Sequence, residues 1–425
     1  MNEYKDIQQE RTNDLCRIVT TCRLCKSSDL FQYLDLGFTP PADQFRTKEE
    51  LDYPVIHYPL RVLLCRACGL SQLSHVVDPR VLYQYDYPYE SSITKTGKIH
   101  WDDFAQQVKA RLNLQPGELV IDIGSNVGTL LESFRAVGAD ILGVDPAPNI
   151  VEKANAQGVP TICEFFGSQV VAQILSRGSK AKVIVGTNVF AHIDDLHDVM
   201  QAADQLLTDD GVFIFESPHF KCLVENLEYD TIYHEHLSYL SLKPLVPFFA
   251  QFGREIFAVE ESEIHGGSMR VYIGKSGQRP LDERVAKLIQ QETELGLHSE
   301  QSLSDFAVRV ANNRRQLIQF IDTLIAEGKT IAVVSTPAKG MTLLNYCGIT
   351  DKHVLFATEK STLKIGRYTP GGNIPIVPDD ELLRVQPDYA LLLAWNFSRE
   401  IIANLQEYQN KGGKFIIPIP ELKIV

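Results

Sequence analysis

Apolar and polar residues in the middle of the chain follow the order strand, turn, helix, strand. One apolar run ends at Asp122, a turn with two glycines follows, and apolar residues then recur at helical spacing. A second apolar run, 141–144, ends at Asp145. Because the pattern repeats through later apolar runs at 183–185 and 212–215, it predicts a doubly wound parallel sheet with helices on both faces.

The last third of the chain repeats this pattern after a long polar interruption. Residues 281–327 are charged and amphipathic, which predicts one or two helices, and the short apolar runs that follow predict a second, smaller parallel sheet. In it the turn S-T-P-A-K-G precedes a helix, so free backbone amides and Lys339 could hold an anionic group. Arg367 is a second candidate, because a guanidinium binds phosphate in a bidentate way.

Length and charge limit what this chain can be. A chain of 425 residues is too long for a single core, and we expect three domains, at 1–80, 81–260 and 261–425. The net charge of -13 argues against a nucleic acid polymer as partner. No apolar run reaches the roughly 20 residues that a membrane helix needs, and the N-terminal residues contain no secretory signal. We therefore expect a cytoplasmic monomer without membrane contact.

Four of the eight cysteines form two C-x-x-C pairs about forty residues apart. Cys22 and Cys25 make the first pair, and Cys65 and Cys68 the second. Each pair can close one tight turn, and two such turns supply the four thiolates of a tetrahedral Zn²⁺ site. Four sulfur ligands leave no open coordination position, so the predicted zinc is structural.

The glycine turn indicates which cofactor the middle domain binds. Its sequence, G-S-N-V-G, lacks the middle glycine with which dinucleotide folds approach a pyrophosphate. It resembles the first motif of class I methyltransferases, which bind S-adenosyl-L-methionine, and this favours a methyl donor over NAD. Asp145 is placed to accept hydrogen bonds from ribose hydroxyls. The predicted cofactor contacts are Asp122, Gly124, Ser125, Asn126, Gly128, Asp145, Pro146 and Asn188.

Residues 229–240 concentrate acid and base groups. The segment Y-D-T-I-Y-H-E-H-L-S-Y-L contains two histidines, a glutamate and three tyrosines. Buried imidazoles and carboxylates are costly to desolvate, so such a concentration indicates a catalytic site. Spacing alone leaves the base open, because in an extended segment His234 and His236 would face the same side, whereas on a helix they would diverge. His219, after E-S-P, is an ambiguous candidate that could equally be an ordinary buried residue.

Several motifs together resemble the three-domain sugar C-methyltransferases, which methylate a ring carbon of nucleotide-linked deoxysugars. They are the two cysteine pairs, D-I-G-S-N-V-G-T-L-L, N-V-F-A-H-I, E-S-P-H-F, I-Y-H-E-H-L-S-Y, H-G-G-S-M-R, P-A-K-G-M-T-L-L-N-Y-C-G-I and G-R-Y-T-P-G, in that order over nearly the whole chain. The resemblance implies an N-terminal zinc-binding domain, a central class I methyltransferase domain and a C-terminal Rossmann-like α/β domain. It also implies a nucleotide-diphosphate sugar as substrate.

The same resemblance implies roles for individual residues. The family base falls on His236, with Tyr233 and Glu235 as companions, and the histidine after the fourth strand falls on His192. A family tyrosine ahead of the cofactor domain falls on Tyr87, with Tyr85 and Tyr89 alternating nearby. Predicted substrate contacts are His234, His265, Arg270, Lys339, Arg367 and Tyr368. The chain departs from the family pattern at Val127, where an acid is common, and at Ser335 and Thr336, where glycines are common.

The residues implied by this resemblance suit methyl transfer to carbon. Loss of the C3 proton beside the carbonyl of a 4-keto sugar gives an enolate, and a positioned histidine is a suitable base at neutral pH. Tyr233 or His192 would donate to the enolate oxygen. Two alternatives stay open: an enzyme that methylates C5 or another keto compound, and a non-catalytic scaffold that binds S-adenosyl-L-methionine.

Overall fold

The computed structural model describes residues 15–83, 95–178 and 180–425, without the side chains of residues 95, 96 and 265. The described chain forms an N-terminal unit of antiparallel strands followed by two α/β units, in the order of fold classes that the sequence predicts. Among these residues no helix is both long enough and apolar enough to cross a membrane.

The N-terminal unit is built from antiparallel strands around the two cysteine pairs. Its elements are β1 (Cys16–Ile18), β2 (Leu30–Thr39), β3 (Tyr58–Cys65), β4 (Ser71–Leu73), β5 (His75–Val77) and the short helix α1 (Pro79–Tyr83). Strand β1 pairs with β5, while β2, β3 and β4 form one sheet. A fourth strand of that sheet, β11 (Ser238–Tyr239), comes from the histidine-rich segment and pairs with β4. The N-terminal unit therefore holds the predicted catalytic segment through backbone hydrogen bonds.

The central unit is a seven-stranded sheet with helices on both faces. Its strands are β6 (Leu119–Ile123), β7 (Asp140–Asp145), β8 (Thr161–Cys163), β9 (Ala181–Thr187), β10 (Leu207–Pro218), β12 (Arg254–Ser262) and β13 (Ser268–Lys275). Its helices are α2 (Lys95–Leu112), α3 (Thr129–Ala136), α4 (Pro148–Ala156), α5 (Ser168–Leu175), α6 (Leu196–Leu206), α7 (Phe220–Glu225) and α8 (Leu242–Ala250). The strand order is β12-β13-β10-β9-β6-β7-β8, with β13 antiparallel to both neighbours.

This sheet extends beyond the predicted domain boundary between residues 260 and 261. That boundary lies inside β12, and β13 completes the sheet up to Lys275. The H-G-G-S-M-R stretch forms the tight connection between the two strands, because Gly266 and Gly267 both adopt positive φ angles there. The central unit therefore ends at the start of the linking helices.

Two helices and a second parallel sheet form the remainder of the chain. The linking helices are α9 (Glu283–Glu294) and α10 (Glu300–Ala326). The strands that follow are β14 (Ile331–Val334), β15 (Ala357–Glu359), β16 (Ile376–Pro378), β17 (Tyr389–Leu392), β18 (Lys414–Ile417) and β19 (Lys423–Ile424). The helices among them are α11 (Ala338–Cys347), α12 (Asp380–Val385), α13 (Ser398–Asn404) and α14 (Gln406–Asn410). The order is β16-β15-β14-β17-β18-β19, parallel except for β19.

The three units share buried contacts. One apolar cluster joins Leu60 of the N-terminal unit, Leu227 of the central unit, Phe306 of α10 and Leu344 of α11. Inside it the Tyr229 hydroxyl donates to Asn313 at 2.9 Å, and the Asn313 amide donates to the carbonyl of Pro418 at 2.9 Å. Because these polar groups are buried, a lost partner would cost about 1–3 kcal/mol. The units therefore hold a fixed arrangement around the segment that contains the histidines.

Candidate active site

The four predicted zinc ligands meet in one cluster. Their sulfur atoms all lie within 4.8 Å of one another, and the Cys22–Cys68 and Cys25–Cys65 pairs are each 3.5 Å apart. Zinc–sulfur bonds of about 2.3 Å in a tetrahedron place sulfurs about 3.8 Å apart, so the cluster fits Zn²⁺. Both knuckles fold alike: the amide four residues after the first cysteine donates back to its carbonyl. The predicted structural zinc site is confirmed by this geometry.

Polar groups without partners collect at the carboxyl edge of the central sheet. Asp122, Ser125, Asn188 and Ser217 each bury a side-chain oxygen that has no hydrogen-bond partner among the described residues. These residues lie at or just beyond the ends of β6, β9 and β10, and the carboxyl edge of a doubly wound sheet is where ligands bind. Buried polar groups are normally satisfied. The edge therefore fits a polar cofactor that supplies the missing partners.

The two strand-end acids shape this edge. Asp145 accepts the backbone amides of Asn126 and Ala147, both at 2.9 Å, and so fixes the glycine turn against the start of α4. Burial, and then the charge of Asp145, holds the pKa of Asp122 well above its usual range. Both carboxyls lie at the carboxyl edge of the sheet, and their contact with the amino-acid and ribose ends of S-adenosyl-L-methionine stays a prediction. When bound, that cofactor supplies an electrophilic methyl group.

We expect that replacing Gly128 with alanine destabilises the protein by about 2–4 kcal/mol. Gly128 has a φ of +86°, and an added Cβ would lie 2.6 Å from Cγ1 of Val159. Gly117→Ala is the matched control, because its φ is +82° but no atom lies within 4 Å of the added Cβ. Urea unfolding of both variants measures the difference. Equal losses would show that the contact with Val159 has no effect.

Two histidines and two tyrosines meet beside this edge. The rings of His192 and His236 are centred 4.9 Å apart, and the Tyr233 ring lies 4.0 Å from that of His236. On the other side Tyr83 stacks on His192 at 6.3 Å, and its hydroxyl lies 3.4 Å from Nδ1 of His192. Sequence positions more than 150 residues apart thus form one cluster, which we call the histidine–tyrosine cluster (Tyr83, His192, Tyr233 and His236).

Local structure fixes both histidines. His192 ends the 3₁₀ turn Phe190–His192, whose Phe190 ring stacks on Phe215 at 4.7 Å in the core. His236 closes a tight turn in which its amide donates to the carbonyl of Tyr233 at 2.9 Å. Its Nδ1 lies 2.7 Å from the carbonyl of Thr231. A carbonyl only accepts, so Nδ1 carries the hydrogen and the neutral ring has its lone pair on Nε2.

Two groups of the cluster, His192 and Tyr83, are kept neutral by their surroundings. Burial, and then the neighbouring His236, holds the pKa of His192 well below its usual value. Burial, and then the carboxylate of Glu235, holds the pKa of Tyr83 well above its usual value. Glu235 itself is buried. A neutral imidazole and a protonated phenol are both able to donate hydrogen bonds.

Several functional residues were not predicted from the sequence. Tyr83 lies in the cluster, whereas the predicted Tyr87 is outside the described residues. Asp43 acts electrostatically on Tyr83, and Lys364 of the C-terminal unit lies 4.0 Å from the Asp43 carboxylate. No local motif marks Asp43 or Lys364, because only the folding of three units brings them together. The one available signal was the alternation of tyrosines that begins at Tyr83.

Two predicted substrate contacts, His234 and Arg270, are buried against other protein groups. His234 is buried against the N-terminal unit, where its Nε2 is 3.3 Å from the Tyr58 carbonyl and its ring packs edge-on to Tyr58. Arg270 is buried in a salt bridge with Glu216 at 2.8 Å and lies over the Phe104 ring. These contacts give both side chains a packing role, and their role as substrate contacts stays a prediction.

The remaining candidates have mixed placements. The His219 ring is buried 2.9 Å from Glu292, which also accepts from the first backbone amide of α8. The side chain of His265 is outside the described residues. Tyr368 pairs with Arg46 of the N-terminal unit through backbone hydrogen bonds, with the half-buried Arg367 beside it.

Lys339 lies near a buried acidic pair at the boundary between the central and C-terminal units. Its Nζ donates to Asn396 at 2.5 Å and lies 4.1 Å from the centre of the Trp395 ring. Trp395 donates to buried Asp230 at 2.6 Å. Burial, with Asp230 adding to it, raises the pKa of nearby Glu228 to about 7. Acidic groups and a lysine thus meet in front of the second sheet.

The raised pKa of Glu228 predicts a pH-dependent stability. The pKa of Glu228 is near 7 in the folded protein and near 4.5 in the unfolded chain. The protonated carboxyl therefore stabilises the fold fully below pH 4.5, and this stabilisation is lost as the pH rises through 7. The wild-type protein should lose on the order of 3 kcal/mol of unfolding free energy between pH 5 and pH 8. Glu228→Gln should not show this loss. Thermal unfolding across this range measures it. The exposed Glu225→Gln is the control, and an unchanged pH profile in Glu228→Gln would contradict the assignment.

Comparison with known proteins agrees with this three-unit arrangement. Family models match in chain order: "Putative zinc binding domain" at residues 22–83, "Methyltransferase domain" at 100–259 and "C-methyltransferase C-terminal domain" at 263–420. The chain is 36% identical to the C-methyltransferase NovU of Streptomyces niveus, over 97% of this chain and 98% of that protein. The match therefore spans all three units.

Other similarities cover a smaller part of the chain. A ubiquinone biosynthesis O-methyltransferase of Methylobacterium sp. (strain 4-46) is 32% identical over 23% of this chain and 39% of that protein. A magnesium protoporphyrin IX methyltransferase from Synechocystis PCC 6803 with bound SAH is similar over 44% of this chain and 90% of that chain, at 16% identity and a TM-score of 0.34, which is too low to bear on function. By its full-length match and its three domains, the chain belongs to the family of S-adenosyl-L-methionine-dependent C-methyltransferases with an N-terminal zinc-binding domain.

Proposed function

We propose that this C-methyltransferase methylates C3 of a nucleotide-linked 4-keto-deoxysugar, with His236 as the base. The observation that carries the proposal is the hydrogen bond from Nδ1 of His236 to the Thr231 carbonyl, which leaves the basic Nε2 in the histidine–tyrosine cluster. Methylation of an oxygen or nitrogen needs no carbon acid to be deprotonated. A fixed neutral imidazole beside the methyl-donor edge is what methylation of carbon requires.

His236 starts the reaction by removing a proton. Nε2 takes the C3 proton, the C3–H electron pair forms the C3=C4 double bond, and the negative charge moves to the C4 oxygen. A positioned base of this kind contributes about 100- to 10,000-fold in rate. The enolate carbon then forms a bond to the methyl group, and the carbon–sulfur pair leaves with S-adenosylhomocysteine. His236 finally releases its proton to water.

His192 and Tyr233 are suited to stabilise the enolate oxygen. If the Tyr83 hydroxyl donates to Nδ1 of His192, the hydrogen of that neutral ring is on Nε2 and can point at the substrate. A low pKa keeps His192 neutral while His236 is protonated, so the cluster holds a single positive charge. Preorganised donors of this kind are worth about 3–4 kcal/mol each in transition-state stabilisation.

The C-terminal unit offers groups for the nucleotide diphosphate. Helix α11 begins at Ala338, so Lys339 lies in its first turn, and the free amides there favour an anion. Arg367, Tyr368 and Lys364 lie on the loop between β15 and β16 that contacts the N-terminal unit. The similarity to NovU supports carbon as the methyl acceptor, and the sugar comes from the motif resemblance. The monomeric state and the cytoplasmic location stay predictions.

The test uses purified protein, S-adenosyl-L-methionine and an enzymatically prepared TDP-4-keto-2,6-dideoxyhexose. Mass spectrometry should find the sugar heavier by one CH₂ unit together with S-adenosylhomocysteine, and NMR should place the new methyl on C3. A methyl on C5 would favour the alternative site of methylation. Cofactor binding without any methylated keto sugar would reject the proposed substrate class.

A further inference from the structure

The first zinc knuckle touches both segments that hold the histidines of the proposed mechanism. Arg23, between the ligands Cys22 and Cys25, is only 3% exposed. Its guanidinium points out of the knuckle toward the central unit rather than into solvent. Burying an arginine costs free energy unless its N–H groups donate hydrogen bonds. The groups that accept from Arg23 therefore indicate its role.

One acceptor of Arg23 belongs to the His192 segment. Nε of Arg23 donates to Oδ1 of Asp194 at 3.2 Å, two residues after His192. The next residue of the knuckle adds a second link, because the Leu24 carbonyl accepts from Nε2 of His197 at 2.9 Å. The chain around His192 is therefore held at two points by consecutive knuckle residues.

The other acceptor of Arg23 belongs to the strand that holds the His236 segment. Nη1 of Arg23 donates to the Leu73 carbonyl at 3.3 Å. The amide of Leu73 in turn donates at 2.9 Å to the carbonyl of Leu237, the residue after His236. One planar guanidinium thus connects the two segments, and its fixed geometry constrains their relative position.

We propose that Arg23 is a positioning residue that sets the 4.9 Å separation of the His192 and His236 rings. The zinc knuckle then has a second task besides stability, since it presents Arg23 to both segments. The inference rests on the proposed roles of the two histidines. A displacement of about 1 Å in a base or donor is enough to lower turnover about 100-fold, even when the change is remote.

The second knuckle offers a matched control. Arg66 occupies the same place in its C-x-x-C pair as Arg23, but it is partly exposed and pairs with Glu300 on α10 at 2.6 Å and with Asp29 at 3.1 Å. A loss specific to Arg23 therefore cannot come from a general weakening of a knuckle.

The test compares Arg23→Gln with Arg66→Gln in the full-length zinc protein. Both variants should keep one zinc per chain and the wild-type Kd for S-adenosyl-L-methionine. Arg23→Gln should lower kcat about 100-fold with a smaller change in KM, and Arg23→Lys should recover part of the loss. Hydrogen–deuterium exchange should be faster in peptides 188–198 and 231–240 for Arg23→Gln only.

Exchange also separates this inference from the proposed function, since it needs no substrate. If the wild-type protein methylates no keto sugar, the function fails, while faster exchange in both peptides still supports positioning. Unchanged exchange and kcat in Arg23→Gln, or equal losses in Arg66→Gln, would overturn the inference. If Arg23→Gln loses zinc, Asp194→Ala removes the acceptor from the other side, and wild-type exchange and kcat there would overturn it as well.

Discussion

Replacing His236 with asparagine is expected to lower the methylation rate about 100- to 10,000-fold, because the variant lacks the base that forms the enolate. The Kd for S-adenosyl-L-methionine should stay at the wild-type value, since His236 is outside the cluster of unpaired groups at the sheet edge. Single-turnover kinetics and calorimetric titration of the cofactor measure the two effects separately.

His234→Asn is the matched control for this variant. His234 is two residues away but packs on Tyr58, so its loss should lower stability rather than the rate of the chemical step in the folded enzyme. Near-normal turnover of His236→Asn would reject His236 as the base. A rate loss confined to His234→Asn would instead restore the alternative that the sequence left open.

Replacing Cys65 with serine is expected to abolish zinc binding and to unfold the N-terminal unit. Structural zinc sites can contribute about 10 kcal/mol of folding free energy, and Cys65 is fully buried in the cluster of four sulfurs. Strand β4 also pairs with β11, so the loss should extend to the histidine–tyrosine cluster and remove activity. Zinc content and thermal unfolding measure the outcome.

Cys163→Ser serves as the control, because Cys163 is an exposed free thiol outside the zinc cluster. It should keep full zinc content and the wild-type melting temperature. A Cys65→Ser protein with zinc and an unchanged melting temperature would contradict the structural role of the site.

The sequence predicts those features that depend on short-range pattern. The predicted strand that ends near Asp122 is β6, the helix after the glycine turn is α3, and the strand that ends at Asp145 is β7. The two cysteine pairs meet as expected. The strand–turn–helix pattern and the cysteine pairs both depend on the spacing of residues that are close in sequence. The pairing of the parallel strands in both sheets follows from the alternation of strands and helices.

Other features depend on tertiary contacts that no local pattern encodes. Residues 233–236 form a turn with neither helical nor strand period, so spacing alone could not separate His234 from His236. Tyr83 approaches the site only because α1 folds against the central unit, and Lys364 only because the loop after β15 folds against the N-terminal unit. In the sequence Arg270 is a charged residue close to two glycines. Its partner Glu216 lies on a strand more than fifty residues earlier, so local pattern does not reveal the pair.

Exchange of solvent deuterium into the sugar tests the central claim most directly. The TDP-4-keto-2,6-dideoxyhexose is incubated in D₂O with the enzyme and S-adenosylhomocysteine, so that the enolate forms but cannot be methylated. We expect deuterium at C3, seen by NMR, with wild-type protein and none above background with His236→Asn. Exchange at C3 that persists in His236→Asn, or methylation by the wild-type protein without any C3 exchange, would contradict the claim.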